Sequence, residues 1–396
     1  MRLLLKGGKI IDPGTGFADT GDIFIEDGRI TEMRPDISAA GCEVLDAGGL
    51  IVTPGLIDMH VHLREPGFEA KEDIYSGTRA AAAGGFTTVA CMPNTKPVID
   101  NAVLVSGVLR QAQLNGLVRV EVIGALSKGQ EGRELAEIGD MIAAGAVAIS
   151  DDGHFVDSAR LMRAGLEYTG MFNKPVISHA EEKTLVADGV MHEGTVSAGL
   201  GMPGRPSVAE DIAVARDILL AEYTGSAVHI AHVSTKGAVQ LIREAKRRGV
   251  RVTAEATPHH LTLSDEKVTG FDTAAKVNPP LRSADHIAAL IDGLKDGTID
   301  AIASDHAPHA YEEKDVEFHL APSGFAGLET SLGVVLTGLY HTGRFSLAEL
   351  INSLSTAPAR ILGLEARNLA PGNPADITVI DPDFEWTVDS RKFYTR

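Results

Sequence analysis

From about residue 55 onward, short β-branched apolar runs alternate with longer stretches rich in Ala, Leu and Glu. The runs at 56–62, 87–92, 118–123, 146–150, 175–178, 227–232, 252–254 and 300–304 predict strands. The stretches at 75–83, 135–144, 208–223 and 237–248 predict helices between them. Repeated strand–helix alternation argues for a parallel sheet with crossover helices. Eight such units predict an α/β fold of the closed (β/α)8, or TIM-barrel, type. A doubly wound open sheet is the alternative, but no glycine-rich phosphate loop follows the first strand. Ahead of the barrel, residues 3–5, 9–11, 22–25 and 29–33 read as short strands, with Asp27-Gly28 as a hairpin signal. Behind it, 346–362 reads as helix, 368–376 as turn and 377–380 as strand. The expected organisation is a barrel at 55–363 and a small flanking β-sandwich domain built from 1–54 and 364–396. There is no low-complexity segment and no fixed-period repeat beyond the strand–helix alternation.

Composition narrows the function. The chain has 396 residues, 44% hydrophobic and 23% charged, which is a globular composition long enough for a substantial core. A formal net charge of −18 argues against a nucleic-acid or anionic-membrane surface. It leaves room for an anionic small substrate, because a bound metal and one arginine reverse the field locally. Two cysteines, Cys42 and Cys91, make no disulfide framework and fit a reduced cytoplasmic setting. The opening residues Met1-Arg2-Leu3-Leu4-Leu5-Lys6 hold too short an apolar run for a signal peptide, and no apolar stretch is long enough to span a bilayer.

The chemistry sits where the predicted strands end. Strand 1 ends in Asp58-Met59-His60-Val61-His62, and side chains two residues apart on a strand point the same way. Strand 4 ends in Ser150-Asp151-Asp152, strand 5 in Ser178-His179-Ala180-Glu181, strand 6 in Ala231-His232-Val233-Ser234 and strand 8 in Ser304-Asp305-His306. These are C-terminal strand ends, the rim on which barrel enzymes carry their active sites. Any one of these residues alone reads as a structural polar group; five strand ends agreeing point to a metal centre. Four histidines with two or three carboxylates exceed the needs of one tetrahedral zinc and suit two ions clamping a water or hydroxide. One zinc with spare hydrogen-bonding histidines is the simpler alternative. Arg64, Asn94, Asn278 and His309 fall near the same rim. An arginine there suits a carboxylate, although a salt bridge to Glu65, Glu69 or Glu72 would also account for it. His259-His260 lies in a turn-like setting beyond strand 7 and is left out of the ligand set.

Together these motifs resemble the amidohydrolase superfamily and, within it, the class I dihydroorotases. The stretches that carry the resemblance are D-M-H-V-H-L-R-E-P-G (58–67), M-P-N-T (92–95), S-D-D-G (150–153), S-H-A-E (178–181), A-H-V-S-T (231–235), T-P-H-H-L (257–261), N-P-P-L-R (278–282) and S-D-H-A-P-H (304–309). H-x-H alone would indicate only the superfamily; the first motif in full, with N-P-P-L-R, narrows it to dihydroorotase. The resemblance implies reversible cyclisation of N-carbamoyl-L-aspartate to L-dihydroorotate in de novo pyrimidine synthesis. It implies two zinc ions per chain, bridged by Asp152 and a hydroxide. His60, His62, Asp152 and Asp305 would hold one zinc, and Asp152, His179 and His232 the other. His62, Leu63, Arg64, Asn94, Asn278, His309, Ser323 and Gly324 would line the substrate site, with Asp305 as the proton-transferring catalytic residue. A homo-oligomer, or association with aspartate transcarbamoylase, is the partnership the resemblance suggests.

The chain departs from the family pattern in three places. Strand 4 carries no lysine to be carboxylated, and aspartate there weighs against hydantoinase and allantoinase; the choice of Asp152 rests on motif alignment and leaves Asp151 as the alternative. The family's Pro-Phe-Gly loop reads Pro322-Ser323-Gly324, so Ser323 is expected to meet substrate through its backbone. The family continues past Phe393-Tyr394-Thr395-Arg396 with further strands, so the small β domain is expected to be incomplete. Residues 311–322 lack clear periodicity and read equally as a substrate-ordered lid or a solvated charged loop. The rival readings are another cyclic amidase, or a catalytically silent paralogue serving a pyrimidine-pathway assembly; intact ligands argue against the latter.

Overall fold

A computed structural model describes residues 1–365 and 367–396. Five strands precede the barrel: β1 (Arg2–Asp12), β2 (Phe17–Glu26), β3 (Arg29–Arg34), β4 (Glu43–Asp46) and β5 (Ile51–Pro54). The barrel strands are β6 (Leu56–Val61), β7 (Phe86–Cys91), β8 (Arg119–Gly124), β9 (Ala146–Ser150) and β10 (Val176–Ser178). A short pair, β11 (Met191–His192) and β12 (Gly204–Arg205), interrupts the series. It resumes with β13 (Val228–Ile230), β14 (Val252–Ala256) and β15 (Ala301–Ile302), and β16 (Ile377–Ile380) follows near the C-terminus.

The eight barrel strands form one parallel sheet in the order β15-β14-β13-β10-β9-β8-β7-β6. Its two edges meet through a parallel bridge between Val61 and His306, and the His62 N–H donates to the His306 carbonyl at 2.8 Å. The TIM-barrel expectation holds, and the closing contact comes from the two motifs richest in candidate ligands. Helices cover the outside. Ile74–Ala83 starts at a capping box in which Asp73 accepts from the Ser76 N–H. Lys236–Arg247 starts at Thr235, whose hydroxyl accepts from the Ala238 N–H. One core joins strands to helices: Leu56, Phe86, Val122, Ile149 and Ile230 from the sheet meet Ile74, Val105, Leu166, Ile218 and Ile242. A second cluster (Met59, Ala90, Met92, Ile123, Val147, Ile177 and Ala231) takes in Leu362 from the last helix.

The expected helix at 135–144 shortens to Ile138–Ala143. The expected helix at 346–362 is interrupted: Leu347–Ile351 and Ala357–Leu362 are α, while Asn352–Thr356 between them is a π turn. Among the described residues no helix is long and apolar enough to cross a membrane.

The flanking strands form a six-stranded sheet in the order β16-β5-β1-β2-β3, with β4 also on β1. The β1–β2 register shifts between Leu5 and Gly8, so β4 pairs with the first half of β1 and β5 with the second. This layer, with Leu5, Ile10, Ile23, Ile25, Val52 and Leu369 in its core, is consistent with the small sandwich expected from both chain ends. Thr378 on β16 ties it to the barrel: its hydroxyl donates to the Gly85 carbonyl at 2.7 Å and accepts from the Leu56 N–H at 3.2 Å.

Candidate metal centre

His60, His62, Asp152, His179, His232 and Asp305 converge at the C-terminal mouth of the barrel, and all but the partly exposed Asp305 are buried. Nε2 of His60 lies 3.4 Å from Asp152 Oδ1 and 3.5 Å from Asp305 Oδ1. Nε2 of His62 lies 3.5 Å from Asp152 Oδ2 and 3.1 Å from Asp305 Oδ1. On the other side of Asp152, Oδ1 faces His179 Nδ1 at 3.7 Å and His232 Nε2 at 3.6 Å, and those two nitrogens stand 2.9 Å apart. Two overlapping groups could each hold an ion, His60 with Asp152 and His232, and His60 with His62 and Asp305.

The proton positions fit that use. Glu255 Oε1 lies 2.6 Å from His60 Nδ1, and Asn94 Oδ1 lies 2.9 Å from His62 Nδ1. Each imidazole has an acceptor for a proton on Nδ1, which frees the lone pair of Nε2 to face inward, the arrangement that outer-shell acceptors give ligand histidines. His60 Nε2 and Asp152 Oδ1 have no hydrogen-bond partner although both atoms are buried. Orphaned buried polar atoms are costly, and two facing each other across 3.4 Å fit a shared cation. Burial works to raise the Asp152 and Asp305 carboxyls, yet neighbouring imidazoles outweigh it and hold both below the usual carboxylate range. Burial likewise works against a charged His179, but Asp152 and Glu181 raise it to about 10.

Asp151 turns away from this centre. Its carboxylate accepts from the N–H groups of Leu126 and Ser127, at 2.8 and 3.0 Å, and from the Ser127 hydroxyl. The two adjacent aspartates thus divide the work, Asp151 anchoring the loop after β8 and Asp152 facing the histidines.

The expected substrate residues surround the opening. Arg64 has φ +62°, and its Nε donates to the Pro308 carbonyl at 3.3 Å. His309 Nε2 lies 2.9 Å from the Ser323 carbonyl, which accepts its proton; burial, then Arg64, lowers the imidazole to about 4 and keeps it neutral. Gly324 has φ +121°, and a Cβ there would meet the Ala307 carbonyl oxygen at 2.7 Å and His309 Nε2 at 3.3 Å, so the position requires glycine. The Ser323 carbonyl is committed to His309 and the Gly324 N–H to the Lys276 carbonyl at 2.9 Å. The Leu63 side chain packs in the core against Gly77, and its carbonyl accepts from the Glu65 N–H at 2.7 Å. Asn278 Oδ1 accepts from Arg205, and its Nδ2 is 3.2 Å from His179 Nε2.

Several residues that shape the site lie outside the expected ligand and substrate set. Glu255, buried on β14, joins His60 to His229 Nε2, 3.2 Å from its Oε2. Asp58 accepts from the Ser304 N–H at 3.1 Å and binds the first motif to the last. Glu72 lies 3.3 Å from His306 Nε2 and holds the residue after Asp305. A lone carboxylate inside an apolar strand run, as in Thr253-Ala254-Glu255-Ala256, was the available signal for Glu255. His259 and His260 are buried in a short helix, Pro258–Thr262; His260 Nε2 meets the Pro279 carbonyl at 2.9 Å and holds the loop that carries Asn278. The 311–322 segment opens with a short helix, Tyr311–Lys314, in which Glu313 pairs with Lys71 at 2.8 Å and the Lys314 amine reaches the Pro322 carbonyl at 2.8 Å.

A parallel β/α barrel with a histidine–aspartate centre on its C-terminal rim is the architecture of a metal-dependent amidohydrolase. The comparisons with known proteins agree. A family model described as Dihydro-orotase-like matches residues 49–238. The chain is 59% identical over 396 residues to a dihydroorotase of Pelotomaculum thermopropionicum, covering all of this chain and 92% of that protein. It is 54% identical over 397 residues to a dihydroorotase of Pelobacter propionicus, covering all of this chain and 93% of that protein. Among solved structures it resembles an L-hydantoinase from Arthrobacter aurescens, with TM-score 0.89, 27% identity and coverage of 99% of this chain and 89% of that one. This chain belongs to the dihydroorotase family and is a cyclic amidohydrolase.

Proposed function

We propose that this protein is a dihydroorotase of the class I type, interconverting N-carbamoyl-L-aspartate and L-dihydroorotate in pyrimidine biosynthesis with two zinc ions. The observation that carries the metal reading is the facing pair of buried, unpartnered atoms, His60 Nε2 and Asp152 Oδ1, inside a set of imidazole and carboxylate donors. That donor set suits zinc. His60, His62 and Asp305 would hold one ion, His179 and His232 the other, with Asp152 shared between them.

Zinc bound there would supply a Lewis acid for the amide carbonyl and bring water within reach of deprotonation at about pH 7. The protein's own groups do the rest. In hydrolysis Asp305, beside His62, takes a proton from the attacking water at its carboxylate and returns it to the ring nitrogen as the C–N bond breaks; in the cyclising direction it takes that proton from the attacking nitrogen and gives it to the hydroxyl that leaves as water. Arg64 supplies charge for the substrate carboxylate. Asn94 and Asn278 have their side-chain oxygens committed, to His62 and Arg205, and one Asn278 N–H donates to Glu181, so Asn94 offers its N–H donors and Asn278 one to the substrate. Three donors suit a carboxylate-bearing ring, and with Asp152 in place of a lysine they favour dihydroorotate over a hydantoin. His309, Ser323, Gly324 and the Leu63 backbone complete the wall. Residues 1–54 with 364–396, and 55–363, are taken as two domains of a cytoplasmic enzyme that forms a homo-oligomer or joins aspartate transcarbamoylase.

Zinc content and dihydroorotate hydrolysis, measured together on wild type and Asp152→Ala, test this reading. Two zincs with turnover, and loss of both in the variant, are expected. One zinc, or a variant that keeps metal and activity, would refute the bridged centre; two zincs without dihydroorotate turnover would refute the substrate.

A further inference from the structure

His179 faces the centre through Nδ1, 3.7 Å from Asp152 Oδ1. A neutral imidazole that binds metal through Nδ1 carries its proton on Nε2, and that outward N–H needs an acceptor. Two side chains stand nearest Nε2: Asn278 Nδ2 at 3.2 Å and, at the ion-pair separation of 3.8 Å, Glu181 Oε2, which also accepts from Asn278 Nδ2 at 3.4 Å. The asparagine presents the wrong atom. Its Oδ1 faces the guanidinium of Arg205, a group with donors and no acceptor, so the end toward His179 is the amide nitrogen. Only the carboxylate can take the proton. Glu181 is itself set in place, because Arg205 NH1 donates to its Oε1 at 3.0 Å. Arg205 is fixed in turn on β12, where its Nε donates to the Gly189 carbonyl at 2.6 Å. A Cβ on Gly189 would come within 2.6 Å of Arg205 Cγ, so the guanidinium stem passes where only glycine leaves room.

We infer that Glu181, held by Arg205, is the positioning residue for His179: it accepts the outer N–H and so fixes the tautomer that leaves Nδ1 free for metal. This rests on His179 being a ligand, the reading given above. The same arrangement points the Asn278 amide nitrogen toward His179 and Glu181, where one N–H donates to Glu181 Oε2 at 3.4 Å and the second remains for the substrate. Arg205 thus sets the polarity of one substrate contact and, through Glu181, one metal ligand.

Zinc affinity of the full chain, measured by competition with a chromogenic chelator, tests the inference on wild type, His179→Ala, Glu181→Leu and Glu181→Gln. Wild type binds two zincs, and His179→Ala loses one. Glu181→Leu weakens that same zinc by about 10–100-fold, the usual cost of losing an outer-shell partner, and leaves the other unchanged. Glu181→Gln, which keeps an acceptor oxygen but not the charge, recovers part of the loss. If Glu181→Leu does not fold, Glu181→Asp, whose oxygen is withdrawn by one methylene, takes its place with the same expected direction. A second zinc bound as tightly in Glu181→Leu as in wild type, or glutamine no better than leucine, would overturn the inference. A His179→Ala variant that still binds two zincs would overturn the ligand reading instead.

Discussion

Two neighbouring aspartates show how far one position decides a residue's work. Asp151 satisfies two buried backbone N–H groups of the loop after β8, whereas Asp152 keeps an oxygen without a partner among histidines. Replacing each by alanine should therefore fail in opposite ways. Asp151→Ala strands the Leu126 and Ser127 N–H groups and is expected to cost about 2–4 kcal/mol in urea unfolding, with zinc content retained. Asp152→Ala should lose zinc and turnover, while in chelator-treated protein it unfolds at a urea concentration close to wild type. Equal urea midpoints for Asp151→Ala and wild type would contradict the division. Gly324 makes a second residue-scale case. A methyl group there meets the Ala307 carbonyl and must displace the Ser323–His309 contact. Gly324→Ala is expected to lower kcat/KM at least tenfold with zinc content unchanged, because about 1 Å of misplacement at a binding group costs up to 10²-fold. Steady-state kinetics beside a zinc assay would decide it.

At the level of elements, the strands were legible in the chain because barrel strands are buried on both faces and read as unbroken apolar runs. Their ends located the candidate ligand motifs, since strand–helix alternation fixes which end of every strand lies on the functional rim. The groups that orient the ligands were not legible. Glu255 lies one residue beyond the expected end of its strand, and nothing local says that it reaches His60, two strands away across the barrel's closure. Arg205 sits in a two-residue strand, too short for any periodicity. The π turn at Asn352–Thr356 escaped for a similar reason: its sequence keeps helical composition while its hydrogen bonds widen by one residue. Thr378 shows what such hidden contacts do between elements. It reads as an ordinary strand residue, yet its hydroxyl joins the flanking sheet to Gly85 and to the start of β6. Thr378→Val keeps the shape and leaves a buried N–H and a carbonyl unpaired. The expected cost is about 1–3 kcal/mol in denaturant unfolding, with turnover per folded molecule unchanged. A drop in turnover at equal zinc content would mean that the contact positions the site as well as the sheet.

For the whole molecule, the proposed metal centre is where stability and function meet. Its proposed ligands come from β6, β9, β10, β13 and β15 or the residues just beyond them, so ions held there would link five of the eight barrel strands at one rim. The same rim concentrates carboxylates in a chain whose net charge is already −18, and Asp152, Asp305, Glu255 and Glu181 all lie within reach of the histidine cluster. Bringing these acids together opposes folding except where imidazoles and bound cations compensate them. Zinc should therefore act as a folding ligand. At a free concentration 100 times its dissociation constant it adds about 2.7 kcal/mol to stability, and at 1,000 times about 4.1 kcal/mol. Thermal unfolding with increasing free zinc should show a melting temperature that rises continuously with the logarithm of zinc, and chelation should return it to a common floor. Asp152→Ala should start near that floor and respond weakly, because the shared ligand is gone. A wild type that melts alike with and without chelator, while dihydroorotate turnover disappears, would mean that the histidines already balance the carboxylates without metal. The ions would then serve chemistry alone.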